Sequence, residues 1–258
     1  MAPSYSPVLD NKPNLGVVVP VRNEVLNVEP LIFEIVDALK DADTFEIIFV
    51  DDGSEDGTLN ALTALMNVHK MLRVLHHEKS MGQSAAIATG VKAARAINII
   101  TLDGDGQNDP ADIPLLLEKF GEVDKGPTDF LLVTGHRTKR RDTIIKRFSS
   151  SFANTIRSGL LNDRTPDTGC GLKVFTRAAF LDMPRFDHMH RFLPALMIRR
   201  GGRVVSVPVN HRPRERGLSN YGLFDRLWVG ISDLIGVMWL LRRASSPVVE
   251  EIEADSNS

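Results

Sequence analysis

Cysteine is almost absent from this sequence, which has one, Cys170, among 258 residues. No disulfide can therefore form within the chain, which fits a reducing, cytosolic setting. The sequence has no Cys/His cluster with the spacing of a zinc site, and no internal repeat. Its first residues, MAPSYSPVLDNKP, have neither a basic start nor an apolar core, so we predict no secretory signal peptide there.

A strong excess of one charge is also lacking. The formal net charge is −2, from 31 Lys and Arg against 33 Asp and Glu. Since general nucleic-acid binders are usually basic, this balance argues against a nucleic-acid partner. The chain is 43% hydrophobic and 25% charged, which is an ordinary globular mixture with enough apolar side chains for one large core or two small ones.

Strand and helix patterns alternate through the first half of the chain. The predicted strands are NLGVVVPV, FEIIFVDDGS, LRVLHH, INIITLD and DFLLVTG, and the predicted helices are VEPLIFEIVDALK, DGTLNALTALMNVH, GQSAAIATGVKAARA and IPLLLEKF. We expect Asp56 to be the N-cap of the second helix. The alternation predicts an α/β domain whose mostly parallel sheet carries helices on both faces. In such sheets, ligands bind beyond the carboxyl ends of the strands.

Three acid-containing clusters follow these predicted strands: RNE, DDGSEDGT and DGDGQ. In the last cluster Asp103, Asp105 and Gln107 alternate, and an extended backbone would place all three on one face. Neighbouring carboxylates repel unless a positive charge lies between them. The intervening glycines leave room for a bulky group. Each cluster alone also fits a turn or a helix cap, but their shared position predicts a nucleotide and metal site.

Seven motifs appear in the order found in a known family: VVVPVRNE, IIFVDDGSEDGT, GQSAAIATG, ITLDGDGQNDP, TGHR, DTGCGLKVFTR and RPRERGLSNYG. From about Leu15 to Asn220 the chain resembles the GT-A family 2 glycosyltransferases. Within them it is similar to the polyprenyl-phosphate glycosyl synthases, the group that contains dolichol-phosphate mannose synthase. The resemblance implies a Rossmann-like GT-A fold and the metal-dependent, inverting transfer of a sugar from a GDP- or UDP-sugar to a polyprenyl phosphate.

The resemblance also implies roles for residues on the donor side. Mg²⁺ or Mn²⁺ would be held by Asp103, Asp105 and Gln107, whose oxygen ligands suit hard cations. The implied nucleotide-sugar contacts are Pro20, Arg22, Glu24, Val50, Asp52, Asp103, Asp105 and Asn220. We expect Asp52 to accept a hydrogen bond from the base or the ribose. Asn220 stands where the family usually has a lysine, which removes a positive charge near the phosphates.

On the acceptor side, the resemblance places Arg137, Arg147 and Ser151 around the phosphate of the lipid. For Arg147 a solvated basic face is the alternative. The implied catalytic residues are Asp105, Arg214 and Asp167, of which Arg214 completes the site after donor binding. Asp167 would orient the acceptor or the sugar, or would be an ordinary cap or turn residue. A general base is not required, because a phosphate monoester is largely dianionic at neutral pH.

Three other residues invite a chemical role that we do not assign to them. His188 and His190 are spaced as in a surface loop, and we do not expect them to bind metal. Cys170 lies between two glycines and is expected to be a small buried residue.

The stretch LFDRLWVGISDLIGVMWLLRR, Leu223 to Arg243, is the most apolar part of the chain. Asp225, Arg226 and Asp233 interrupt it, so it is not the run of ~20 apolar residues that a spanning helix needs. We expect a peripheral helix at the cytoplasmic face of a membrane. The alternatives are a helix packed on the core and a helix docked on a polytopic membrane partner.

The sequence thus predicts four regions: an N-terminal tail at 1–13, a catalytic domain at 14–222, the amphipathic helix at 223–243 and an acidic disordered tail at 244–258. Two other functions stay open. One is a family 2 transferase with a saccharide acceptor. The other is a catalytically silent subunit of a membrane complex.

Overall fold

The computed structural model describes residues 12–123, 130–138, 157–161, 163, 165–213 and 223–243, with residues 223–229 described by their backbone alone. The strands are β1 Leu15–Val21, β2 Phe45–Asp52, β3 Leu72–His77, β4 Asn98–Thr101, β5 Leu131–Arg137, β6 Lys173–Thr176 and β7 Arg203–Val209. The helices are α1 Val28–Ala38, α2 Thr58–Val68, α3 Gln83–Ala93, α4 Ile113–Glu122, α5 Arg177–Leu181, α6 Leu193–Arg199 and α7 Leu223–Arg242. Short 3₁₀ turns lie at Pro110–Asp112 and Met189–Arg191.

These strands form one sheet in the order β3-β2-β1-β4-β6-β5-β7. The first four run parallel to one another, and β5 runs parallel to β7. Strand β6 is antiparallel to both of its neighbours, with Lys173 opposite Thr101 and Thr134. The predicted mostly parallel sheet is therefore confirmed. The reversed direction of β6 brings its first residue to the edge at which β4 and β5 end.

Each face of the sheet has its own apolar core, as continuous hydrophobic strands require. Val17 and Val19 of β1 pack on the face covered by α1, α2 and α4. Val18, between them, points to the opposite face, which is covered by α3, α5, α6 and part of α7. Helix α3 approaches the sheet closely because Gly90 has no side chain. A Cβ atom at this position would overlap Val18 Cγ1 and lie 3.1 Å from Val50 Cγ2.

Helix α2 begins one residue later than the sequence predicts. Gly57, with φ of 92°, is its N-cap. Asp56 precedes that position, so the prediction that Asp56 is the N-cap is wrong. Its carboxylate still helps to start the helix, because Asp56 Oδ1 accepts a hydrogen bond of 3.0 Å from the backbone N–H of Thr58.

Helix α7 packs against the second core on one side and is exposed on the other. Val237 is 1% exposed, whereas Ile231, Ile235 and Trp239 are 42%, 62% and 62% exposed. The apolar residues therefore divide between the core and the surface. None of the described helices has both the length and the apolar character needed to cross a membrane. Apart from Lys12 and Pro13, the two predicted tails lie outside the described residues.

Candidate active site

The loops that follow β1 and β2 are joined by hydrogen bonds. The backbone N–H of Asn23 donates to Ser54 Oγ over 2.9 Å, and the N–H of Glu55 donates to Asn23 Oδ1 over 2.8 Å. The N–H of Glu24 donates to Thr58 Oγ1 over 2.9 Å. Asn23 adopts a φ of 56°, a conformation that asparagine tolerates better than most residues. The RNE and DDGSEDGT clusters therefore form one unit at the carboxyl edge of the sheet.

The predicted nucleotide contacts in this unit differ in exposure. Arg22 is exposed, while Pro20 and Glu24 are buried. The carboxylate of Glu24 accepts a hydrogen bond of 2.6 Å from Asn27 Nδ2. Val50 is fully buried in the core beneath α3. The side chain of Val50 therefore does not face the edge, and a contact from this residue would have to come from its backbone.

The carboxylate of Asp52 has its hydrogen bonds within the protein. Oδ1 lies 2.7 Å from His77 Nδ1 and 2.8 Å from the backbone N of Met81, and Oδ2 lies 2.7 Å from Ser80 Oγ and 2.9 Å from the backbone N of Gly82. Burial would raise the pKa of Asp52, but these hydrogen bonds outweigh it and hold the pKa below its ordinary value.

A carboxylate has about four acceptor positions, and all four are used at Asp52. In this conformation Asp52 holds the loop that leads into α3. The predicted bond from Asp52 to a base or ribose would require one of these donors to be displaced, so the geometry argues against that role.

The backbone of the DGDGQ segment is not extended. Strand β4 ends at Thr101, residues 104–106 form a turn, and Gly106 has φ of 74°. The backbone N–H of Gln107 donates to Asp105 Oδ1 over 3.1 Å within this turn. Gly104 allows the chain to turn against β1, because a Cβ atom there would lie 2.8 Å from the carbonyl oxygen of Pro20.

The prediction that alternation in an extended strand places Asp103, Asp105 and Gln107 on one face is therefore wrong. Asp103 lines a cavity of about 160 Å³ on the side of β6. Asp105 lines a second cavity, of about 330 Å³, between α1 and Arg212. Each of the two carboxylates therefore lines a different cavity.

The charge of Asp103 is costly in this environment. Burial first, and then the charge of Asp105, raises the pKa of Asp103 to about 6, against the opposing influence of Lys173, Arg137 and Gln83. Gln83 Nε2 donates a hydrogen bond of 2.7 Å to Asp103 Oδ1. A cation between the two carboxylates would offset this cost.

The surroundings of Asp103 fit a hard cation. The carboxylates supply oxygen ligands, which Mg²⁺ and Mn²⁺ prefer. Gly171 lies so close that a Cβ atom there would overlap the carboxylate of Asp103. Gln107 is half-buried, and its backbone carbonyl accepts a hydrogen bond of 3.0 Å from the N–H of Arg212. In the described part of the chain, no three His, Cys, Asp or Glu side chains form a metal-binding group.

Arg137 and Asp167, predicted for acceptor binding and catalysis, form an ion pair. Arg137 Nε donates to Asp167 Oδ2 over 2.6 Å, and Nη2 donates to Oδ1 over 2.8 Å. Burial alone would lower the pKa of Arg137. The hydrogen bonds that Arg137 donates to Asp167, together with the negative charge of Asp167, outweigh the effect of burial, so the pKa is raised. Asp167 also accepts from the backbone N–H of Gly169, so it is a turn residue as well. The predicted acceptor contacts Arg147 and Ser151, the predicted catalytic residue Arg214 and the predicted donor contact Asn220 lie outside the described residues.

Three residues of the site were not found from the sequence. His190, expected in a surface loop, lines the smaller cavity, with Nδ1 2.7 Å from Ser84 Oγ. Burial lowers the pKa of His190 to about 3, so its imidazole is neutral. Lys173 and Arg191 line the same cavity. Lysine is unusual inside an apolar strand such as GLKVF, and this was the feature of the sequence that could have identified Lys173 as a candidate site residue.

The family model of Glycosyl transferase family 2 matches residues 16–183. A dodecaprenyl-phosphate galacturonate synthase from Rhizobium johnstonii is 34% identical over 238 residues, which are 90% of this chain and 69% of that protein. An undecaprenyl-phosphate 4-deoxy-4-formamido-L-arabinose transferase from Pectobacterium atrosepticum is 31% identical over 216 residues, 83% of this chain. The chain spans 64% of the length of this second relative.

Two solved structures share the fold. One is glucosyl-3-phosphoglycerate synthase from Mycobacterium tuberculosis, with a TM-score of 0.63 and 18% identity over 92% of this chain and 81% of that one. The other is a mannosyltransferase from Pyrobaculum calidifontis, with a TM-score of 0.60 and 20% identity over 92% of this chain and 67% of that one. The sheet, the ordered motifs and the family match agree, and the chain is a member of glycosyl transferase family 2.

Proposed function

We propose that the protein moves one sugar from a nucleotide-sugar to a polyprenyl phosphate. The observation that carries this proposal is the position of Asp103 and Asp105 just after β4, at the carboxyl edge of the sheet, where each of them lines a cavity. The names of both relatives support the acceptor, because one is a dodecaprenyl-phosphate synthase and the other an undecaprenyl-phosphate transferase. Their sugars differ, so the relatives do not identify the sugar.

A divalent cation, Mg²⁺ or Mn²⁺, fits the same site. The M. tuberculosis enzyme was solved with Mn²⁺ and UDP, and the P. calidifontis enzyme with Mn²⁺ and GDP-Man. In this chain Asp103 and Asp105 would hold the cation, with Gln107 nearby. A cation bound there supplies positive charge against the negative charge that grows on the leaving nucleoside diphosphate. The loops after β1, β2 and β4 surround the place where that diphosphate would lie.

In the proposed reaction, an oxygen of the acceptor phosphate attacks the anomeric carbon of the sugar. A new carbon–oxygen bond forms, the bond from that carbon to the donor's diphosphate breaks, and the nucleoside diphosphate leaves. A dianionic phosphate needs no base to become a nucleophile. The ion pair with Arg137 fits this scheme, because it fixes the position of the Asp167 carboxylate, which suits a role in orienting the acceptor or the sugar. Arg137, Arg147 and Ser151 remain the proposed contacts of the acceptor phosphate.

A lipid acceptor requires the site to work at a membrane surface. We assign that contact to α7, whose exposed side carries Ile231, Ile235 and Trp239. The predicted position at the cytoplasmic face, with a catalytic domain at 14–222 and a peripheral helix at 223–243, is part of this proposal. A polytopic protein partner covering the same helix is the competing arrangement.

The test is a transfer assay with nucleotide-sugars, a short polyprenyl phosphate and added Mn²⁺ or Mg²⁺. Asp105→Asn replaces a charged ligand by an amide, and several kcal/mol of transition-state stabilisation depend on such a ligand. We therefore expect transfer to fall at least about 100-fold, since 1.4 kcal/mol corresponds to a factor of ten. Asp37→Asn, on the exposed side of α1, is the matched control and should keep full activity. Unchanged turnover of Asp105→Asn at limiting metal would refute the metal assignment.

A further inference from the structure

The smaller cavity, of about 160 Å³, has basic side chains beside the carboxylate of Asp103. It lies on the β6 side of Asp103, which is one of the proposed metal ligands. The lining residues that carry the argument are Gln83, Asp103, Gly171, Lys173, His190 and Arg191. His190 is neutral, so the cationic groups at this cavity are Lys173 and Arg191.

Lys173 is the buried basic residue. Burial lowers its pKa, against the opposing influence of neighbouring groups that include Asp103 and Asp167. Lys173 is 3% exposed, and its Nζ donates a hydrogen bond to the backbone carbonyl of Cys170. Among the described residues the ammonium has no second hydrogen-bond partner and forms no ion pair with Asp103. An ammonium has three N–H donors. Two N–H donors without hydrogen-bond acceptors are unfavourable in a buried site, unless a ligand in the cavity accepts hydrogen bonds from them.

Arg191 is the second cation. Its side chain is exposed, and its guanidinium makes no hydrogen bond or ion pair within the part of the chain that the structure describes. Lys173 is thus buried in the lining of the cavity, and Arg191 stands at its exposed side. Gly169 and Gly171, which precede Lys173 in the chain, also line the cavity and contribute no side chains to it.

We propose that this cavity receives the sugar of the donor, and that Lys173 and Arg191 select a sugar that carries a carboxylate. The inference rests on the proposed function, and it adds the class of sugar: a uronic acid in preference to a neutral hexose. A carboxylate can accept from an ammonium and a guanidinium at the same time, through charge-assisted hydrogen bonds. A hydroxymethyl group in place of the carboxylate would offer no anionic acceptor to the two remaining N–H donors of the ammonium, and sites of this kind discriminate strongly.

The competing anionic group is the donor's own diphosphate. Every nucleotide-sugar has that diphosphate, so a lysine that binds the diphosphate would raise kcat/KM for acidic and neutral donors alike. A lysine that binds the sugar carboxylate would raise kcat/KM for the acidic donors alone. The two explanations therefore differ in the ratio of kcat/KM between matched donors, whatever the absolute rates are.

The experiment measures kcat/KM for matched donor pairs: UDP-galacturonate with UDP-galactose, UDP-glucuronate with UDP-glucose, and GDP-mannuronate with GDP-mannose. In at least one pair the wild type should prefer the acid by about 100-fold or more.

Lys173→Met should lower kcat/KM for that acid far more than for its neutral partner. Arg191→Gln should reduce the preference about tenfold, the size of one charge-assisted bond. Lys92→Met, an exposed lysine of α3 outside this cavity, is the control and should keep the preference.

Four results would overturn the inference. A wild type that prefers the neutral donor of every pair would refute it, while the transfer itself would still support the proposed function. An equal loss on both donors in Lys173→Met would assign the lysine to the diphosphate or to the metal ligands. If Lys173→Met does not fold, Arg191→Gln decides, and an unchanged preference in that variant is a refutation. Absence of transfer from all six donors would refute this inference, whereas the proposed function is refuted only when no nucleotide-sugar of the wider transfer assay is used.

Discussion

At Asp103, the pKa of about 6 has a consequence for stability as well as for metal binding. The carboxyl group holds its proton more tightly in the folded protein than in the unfolded chain, where its pKa is near 3.8. Above pH 6 the carboxyl group is charged in both states, and its buried charge destabilises the folded state. As the pH falls from 6 to 4, the folded state takes up a proton before the unfolded chain does, and this cost disappears.

We therefore expect Asp103→Asn to stabilise the metal-free protein while it weakens Mn²⁺ binding. In EDTA at pH 7.5, the free energy of unfolding should rise by on the order of 2 kcal/mol, from a pKa difference of about two units. The gain should shrink between pH 6 and pH 4. Urea unfolding at pH 7.5, 5.5 and 4.5 measures the free energy, and calorimetry measures Mn²⁺ binding at pH 7.5.

The exposed Asp37→Asn serves as the control, with a change within about 0.5 kcal/mol at each pH. A lower stability of Asp103→Asn at pH 7.5 would contradict the expectation. It would mean that the hydrogen bond from Gln83 contributes more than burial costs.

Residues close together along the chain were predictable at this site, and residues distant in sequence were not. Asp103 and Asp105 stand together in one motif at a strand end. Lys173 lines the same cavity as Asp103 because β6 runs antiparallel between β4 and β5, and the sequence pattern contains no sign of that direction. The four donors to Asp52 lie 25 to 30 residues away, so the sequence could not show that its carboxylate was already in use.

Among the elements, α3 connects the core to the site. Its first residue, Gln83, binds Asp103, and Gly90 near its other end lies against β1. The helices and strands of the first half were predicted to within a few residues, because their apolar runs and turn residues are local signals. The conformation of the DGDGQ segment was not predicted, since this sequence fits both an extended chain and a turn at its glycines. The packing of Gly104 against β1 favours the turn.

Gly90→Ala should push α3 away from the sheet. The added methyl group would overlap Val18, and such overpacking costs about 1–3 kcal/mol of unfolding free energy. The gain in helix propensity, about 1 kcal/mol, offsets part of this. Because Gln83 moves with the helix, we also expect weaker Mn²⁺ binding. Thermal unfolding and calorimetry measure the two effects.

Gly121→Ala is the matched control, because Gly121 is also in a helix and a Cβ there has no atom within 4 Å. It should stabilise the protein by up to about 1 kcal/mol and leave Mn²⁺ binding unchanged. Equal unfolding temperatures for the two variants would show that α3 is free to move away from β1 at little cost.

At the scale of the whole molecule, α7 lies between the second core and the protein surface. The sequence predicted an amphipathic helix and left open whether it packs on the core, on lipid or on a membrane partner. The structure divides its apolar residues between the core and the exposed surface. Leu234, Met238 and Leu241 pack against the core, while Ile231, Ile235 and Trp239 recur every four residues on the exposed side. Sequence periodicity identified the helix, but the position of its apolar partners decided which residues stay exposed.

The exposed side of α7 has the composition of a membrane-interface helix. Trp239 suits the headgroup region, and Arg243 lies over its ring, 6.0 Å from the centroid. Arg242 and Arg243 are both exposed, and each contributes about 1 kcal/mol of attraction near an anionic surface. A catalytic domain held in this way would meet the phosphate of its acceptor at the bilayer surface while the prenyl chain stays in lipid.

Trp239→Glu should therefore release the protein from liposomes that contain anionic lipid, by at least about tenfold in partitioning, because it places a negative charge on the apolar side of the helix. The folded state should lose little stability, since Trp239 is 62% exposed. Val68→Glu, at an apolar residue of α2 that is 72% exposed, adds the same charge elsewhere and should leave binding intact. Flotation with liposomes measures partitioning, and urea unfolding measures stability. Binding of Trp239→Glu equal to that of the wild type would move the membrane contact to another part of the chain, whereas unfolding of the variant would show that this side of α7 belongs to the core.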